Sequence, residues 1–119
     1  MAEYIDEELK TIEVKDSKGN VIESKDFYIS KFPAVLGREI MMRYSVSLSK
    51  INEDYEANAE ILRKIMKFAR VELADGRKVA LESETLINNH VPDGEMLQAL
   101  EQAILAHNFS FFRDGEPSD

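Results

Sequence analysis

The chain has no cysteine, only two histidines, and five glycines that stand apart from one another. Each shortage removes a class of chemistry. Without cysteine there is no disulfide framework, no thiol nucleophile and no cysteine zinc site, and such a composition suits a reducing compartment. Isolated glycines form no phosphate-cradling loop. No apolar run approaches the roughly 20 residues that span a bilayer. The opening MAEYIDEELK is acidic, with neither the basic start nor the apolar core of a signal peptide. Positive charge is also scarce in one part. Residues 81–119 hold one basic side chain, Arg113, against eight Asp and Glu, whereas residues 1–80 hold 14 against 15. The net charge is −8. Acid of this excess repels nucleic acid and anionic membrane, so neither is expected as a partner; keeping the protein soluble is the plain alternative role for it.

What is present describes an ordinary globular protein. At 119 residues, 44% hydrophobic and 32% charged, the chain fits one domain that folds without a metal or disulfide. Residues 1–9 are polar and read as frayed, as does the tail 113–119. β-Prone stretches at 11–15 and 20–29 flank Asp16-Ser17-Lys18-Gly19-Asn20, whose Gly-Asn pair supplies a hairpin turn. Phe32-Pro33 then starts a helix carrying Leu36, Ile40, Met41 and Tyr44 at helical spacing. Gly37 within it points to another backbone packed closely against it.

A second helix follows, capped by Asn52. Its apolar stripe is Tyr55, Ala59, Leu62, Ile65, Met66 and Ala69, and Arg63, Lys64, Lys67 and Arg70 sit in its last turns. That basic end complements the helix dipole, which explains it more simply than a nucleic-acid patch does. Asp75-Gly76 marks a second hairpin between 71–73 and 78–81. Ser83 caps a short helix over 84–89, Val91-Pro92 breaks it, and Asp93 caps a last helix with Met96, Leu97, Leu100, Ala103, Ile104 and Leu105 on its buried face. The sum is an α+β fold of two hairpins and about four helices, with helices dominating.

Catalysis finds little support. His90 with Asp93 and Glu95 offers a hard-ligand metal site, but His107 lies about 20 Å further along the helix and cannot share it. Both histidines read more simply as capping or surface groups. No serine lies in a nucleophile-elbow context. No cofactor is expected, and the chain reads as a protein-binding domain. Two clusters carry that reading. Phe109, Phe111 and Phe112 fall within four residues; as a strand, this segment would turn Phe109 and Phe111 to one face and Phe112 to the other. One face would complete the core, and the other would meet a partner. The second cluster is Met41-Met42 with Met66 and Met96, suited either to core gaps or to varied partners. For both clusters core packing is the simpler reading. Asn108-Phe109-Ser110 also matches a glycosylation sequon, without meaning in a chain that is not secreted.

Two blocks together, FYISKFPAVLGREI over 27–40 and LINNHVPD over 86–93, the latter continuing through the last helix into Asn108-Phe109-Ser110-Phe111-Phe112, resemble the tail assembly chaperones of long-tailed bacteriophages and prophages. The resemblance implies a protein made in the host cytoplasm and absent from the finished virion. It implies binding of the tape measure protein to keep it soluble during tail assembly, and recruitment of tail tube protein through an extended, frameshifted form. It implies a homo-oligomer as well. On this reading Phe32, Leu36, Arg38, Phe109, Phe111 and Phe112 make self-contacts or client contacts. The rival expectations are a structural tail or head–tail connector protein, a protein-binding adaptor unrelated to phage, and a small metal-dependent enzyme built on His90, Asp93 and Glu95.

Overall fold

The computed structural model describes residues 4–110 and 112. Its elements run β1 (Ile5–Lys15), β2 (Val21–Lys31), α1 (Ala34–Ser49), α2 (Tyr55–Met66), β3 (Ala69–Glu72), β4 (Lys78–Ala80), α3 (Glu84–His90) and α4 (Gly94–Asn108). The fold is α+β, and the two hairpins form one antiparallel sheet in the order β1-β2-β3-β4. They are joined at only two positions, Tyr28 to Arg70 and Ile29 to Ala69.

Turn chemistry fixes both hairpins. The carboxylate of Asp16 accepts from the backbone N–H groups of Lys18 and Asn20, and Gly19 takes a φ of +85° between them. Those backbone donors hold the Asp16 carboxyl below its ordinary range. Gly76, at φ +91°, does the same for the second turn, where Asp75 accepts from the N–H of Arg77. Alternation along the strands then sends Ile12, Val14, Phe27, Ile29, Ala69 and Val71 into the core. Helix α4 lies across β1 and β2 and buries Met96, Leu100, Ile104 and Leu105 against them, while α1 and α2 pack together beside it.

Several sequence expectations are corrected. Residues 5–9, which read as frayed, are the first half of β1, and both strands of the first hairpin are longer than the β-prone stretches. A bulge between Ile5 and Glu8 turns Glu7 towards β3, where its two carboxylate oxygens meet Arg70 at 2.6 and 2.8 Å. The Arg70 guanidinium also covers the Tyr4 ring at 3.8 Å. An ordered position for polar residues is thus supplied by a strand two places away. The cap of α2 is Asp54, which accepts from Ala57 N–H, and not Asn52. The helix stops at Met66, so Ala69 and Arg70 belong to β3, and Ile61 takes the buried place while Tyr55 is exposed. What a side chain at Gly37 would meet is the Cβ of Phe32 at an ordinary 3.5 Å, not a backbone.

Asp6 sits in the bulge at φ +48°. Aspartate tolerates this left-handed region, whereas a β-branched side chain does not. Asp6→Val is therefore expected to lower stability by about 1–2 kcal/mol and Asp6→Gly to stay within about 0.5 kcal/mol of the parent. Urea midpoints of the three proteins measure this.

Candidate partner-binding surface

Helix α1 has two apolar sides. Ile40 and Tyr44, with the small Gly37 and Ser47, face the core. Val35, Met42 and Val46 form a second stripe on the opposite side, at 84%, 58% and 55% exposure, flanked by Met41 and Leu48. A globular helix ordinarily turns one apolar stripe to the core and a polar face to solvent; here a second apolar stripe, between Arg38 and Arg43, has no cover among the described residues. This stripe runs into a cleft of about 220 Å³ between α1 and α2, with Met42, Val46, Ala57 and Ile61 as its apolar walls. Arg43, Lys50 and Asp54 line its rim. Across the α1–α2 surface Glu39 accepts from both Arg43 and Lys64 at 2.7 Å, and Lys64 and then Arg43 hold its carboxyl below the usual range.

The far flank of α1 meets the chain's aromatic cluster. Phe32 stacks edge-on to Phe68 at 5.1 Å and lies 5.7 Å from Phe109; Phe109 lies 6.3 Å from Phe112, and Phe112 reaches Tyr44 at 6.0 Å. The cluster thus runs from core to surface. Phe32 and Phe109 are buried and Phe68 and Phe112 half-buried, and a small pocket of about 40 Å³ beside Met41 is lined by Phe109 and Phe112. Tyr44 itself is held in this wall: burial, then the neighbouring Glu101 carboxylate, pushes its hydroxyl upward, and burial raises the Glu101 carboxyl as well.

The sequence-predicted residues therefore separate. Phe32, Phe109 and Phe112 come together, with Leu36 half-buried against the same core. Arg38 is exposed on α1 and makes no hydrogen bond or ion pair with a described residue. Phe111 lies outside the described residues, as does the tail 113–119. The segment is not a strand: Phe109 caps α4, and Ser110 and Phe112 are helical, with Phe112 N–H donating to Phe109 C=O at 3.1 Å. The methionines divide too, Met66 and Met96 in the core and Met41 and Met42 at the surface. Val35 and Val46 were missed by sequence reasoning. Their signal was available, because 35, 42 and 46 repeat at helical spacing beside the 36, 40 and 44 series, but one helix with two stripes reads as one.

The other candidate chemistries find different surroundings. Among the described residues no three His, Asp or Glu side chains gather into a group able to hold a metal, His90, Asp93 and Glu95 included. Three of the four basic side chains near the end of α2 are paired within the chain: Arg63 with Glu56, Lys64 with Glu39, and Arg70 with Glu7. No described helix is long and apolar enough to cross a membrane. Compared with known proteins, the chain matches no family model, no curated protein and no solved structure.

Proposed function

We propose that the chain is a phage tail assembly chaperone that binds the tape measure protein in the host cytoplasm and keeps it soluble while the tail is built. One observation carries the reading: the uncovered apolar stripe of α1 leads into the α1–α2 cleft on an acidic molecule. This is the form of a groove that takes the apolar face of an amphipathic helix, and a tape measure protein is a long, largely helical client. Exposed Met42 lets one groove accept many different turns of such a client, since a methionine side chain repacks at little cost. Lys50 at the rim favours an acidic flank on the client helix. Surplus negative charge elsewhere keeps the coated complex dispersed. Pairing of Arg63, Lys64 and Arg70 within the chain argues in the same direction, leaving little free positive charge at that end for nucleic acid.

The test is binding of purified tape measure segments by the parent chain and by Met42→Asp/Val46→Asp. Each lost apolar contact weakens binding by about 1.5–3 kcal/mol, so the double variant is expected to bind at least roughly 100-fold more weakly with unchanged circular dichroism. Unchanged affinity would remove the cleft from the reading. Recovery of the chain from purified virions would instead favour a structural tail protein.

A further inference from the structure

Strand β1 is an outer strand of the sheet: among the described residues no strand pairs with its outer edge, and the Asp6 carbonyl near its start is met by His107 Nε2 at 3.1 Å. Over 11 residues it presents a row of peptide N–H and C=O groups, the feature that templates addition of another strand. Beside that edge runs a groove with Thr11, Ile12, Glu13 and Lys15 on one wall and Ala99, Gln102, Ala103 and Ala106 of α4 on the other. We propose that the free edge of β1 and the alanine flank of α4 form a two-fold interface with a second copy of the chain, joining two four-stranded sheets into one of eight. The proposal goes beyond the client reading and uses no residue of the α1–α2 cleft.

Geometry favours a second copy as the occupant. Helix α4 lies against both β1 and β2, so its axis runs over their boundary. Strands sit about 4.8 Å apart. A copy paired to β1 about a two-fold axis perpendicular to the sheet therefore brings the two α4 axes to roughly 10 Å, twice one strand spacing, which is within the range of packed helices. Small side chains on the facing flank permit that approach: Ala99 and Ala103 supply them, and the one long side chain between them, Gln102, is drawn aside by its hydrogen bond to the Tyr44 hydroxyl at 3.4 Å. A single extended peptide would use the edge alone and leave this flank uncovered.

Charge agrees with the same arrangement. In an antiparallel copy centred on Thr11, Glu8 faces Val14, Leu9 faces Glu13 and Lys10 faces Ile12, so no like charges meet; a register centred on Glu13 would oppose that residue to itself. The two-fold also keeps Ile12 of both copies on the helix side, over the alanine flank.

Because the chain has no cysteine, one introduced thiol reports the contact cleanly. The full chain is expected to sediment at twice 13.6 kDa, and Thr11→Cys to cross-link into a covalent dimer on mild oxidation at least tenfold faster than Lys18→Cys at the exposed turn. Ala103→Glu should return the mass to that of one chain and abolish the Thr11→Cys cross-link while leaving tape measure binding in place. A monomeric parent chain, a dimer that survives Ala103→Glu, or equal cross-linking from positions 11 and 18 would each overturn the proposal. Should Ala103→Glu fail to fold, the comparison of Thr11→Cys with Lys18→Cys decides alone.

Discussion

Asn108→Leu is expected to destabilise the protein by about 3 kcal/mol, although leucine matches asparagine in size and lies at the end of a helix. The reason is what the amide does. Its oxygen accepts from Phe32 N–H at 2.8 Å, and its nitrogen donates to Ser30 C=O at 3.3 Å and Ile104 C=O at 2.9 Å. Strand β2 outruns its pairing with β3, which ends at Ile29. Ser30 N–H still reaches Phe68 C=O at 3.0 Å, but Phe32 N–H and Ser30 C=O borrow a partner, and the Asn108 side chain, planar with one acceptor and two donors, stands in for a peptide group. Leucine would leave a buried N–H and two carbonyls short of partners. For a domain of this size the loss corresponds to a fall of about 10 °C in Tm.

Asn108→Asp is the informative control. Its oxygens keep the Phe32 contact, but an ionised carboxylate faces the two carbonyls that the amide used to donate to. The folded state raises the pKa of such a group, so its charged form is the destabilising one. The penalty is then full at neutral pH and shrinks as pH falls through the carboxylate range, where the proton restores a donor. A destabilisation independent of pH would place the Asn108 effect elsewhere.

Phe109→Ala is expected to cost about 3–5 kcal/mol, the cost of emptying a large aromatic site in a core. Phe109 is 8% exposed and holds Phe32 on one side and Phe112 on the other. Its removal leaves two rings facing a void that the α4 cap cannot collapse into. A reduction in client binding by this variant should follow its melting curve and disappear when binding is measured well below Tm. Binding lost from a fully folded Phe109→Ala protein would return this ring to the partner surface, where the sequence alone also allowed it.

That contrast shows what was legible before the structure. Both turns were readable, because Asp16 to Asn20 and Ala74 to Arg77 carry local chemistry that no distant residue can override. The caps Ser83 and Asp93 were readable for the same reason: each accepts from a backbone N–H three residues on. The first half of β1 was not. Asp6, Glu7 and Glu8 have no strand-like composition, and their order comes from Arg70, 63 residues away from Glu7. The end of α2 misled for a related reason, since Ala69 continues the helical stripe but is claimed by Ile29 across the sheet. At the candidate surface the sequence placed Leu36 and Arg38 on the helix that carries the exposed stripe, but it grouped Met41 and Met42 with Met66 and Met96, which the fold divides between surface and core. It placed Phe32 and Phe109 among the contacts because aromatic clustering has the same appearance whether it faces inward or outward. Whether a ring is covered depends on the approach of α4, β2 and α1, which no local pattern encodes.

The seating of α4 on the first hairpin has a consequence for how the molecule comes into being. The contact between Phe32 and Asn108 spans 76 residues, and the apolar side of β1 and β2 is closed only by that late segment. As the chain grows, Phe27 and Ile29 stand exposed until α4 has been synthesised and can dock. A topology that ties early residues to late ones folds slowly for its size. A protein whose work would be to shield another chain's apolar surface thus passes through a stage in which its own needs shielding, and cutting it before Gly94 should yield an aggregating chain that keeps β1 to α3 with its sheet uncovered, rather than a smaller domain.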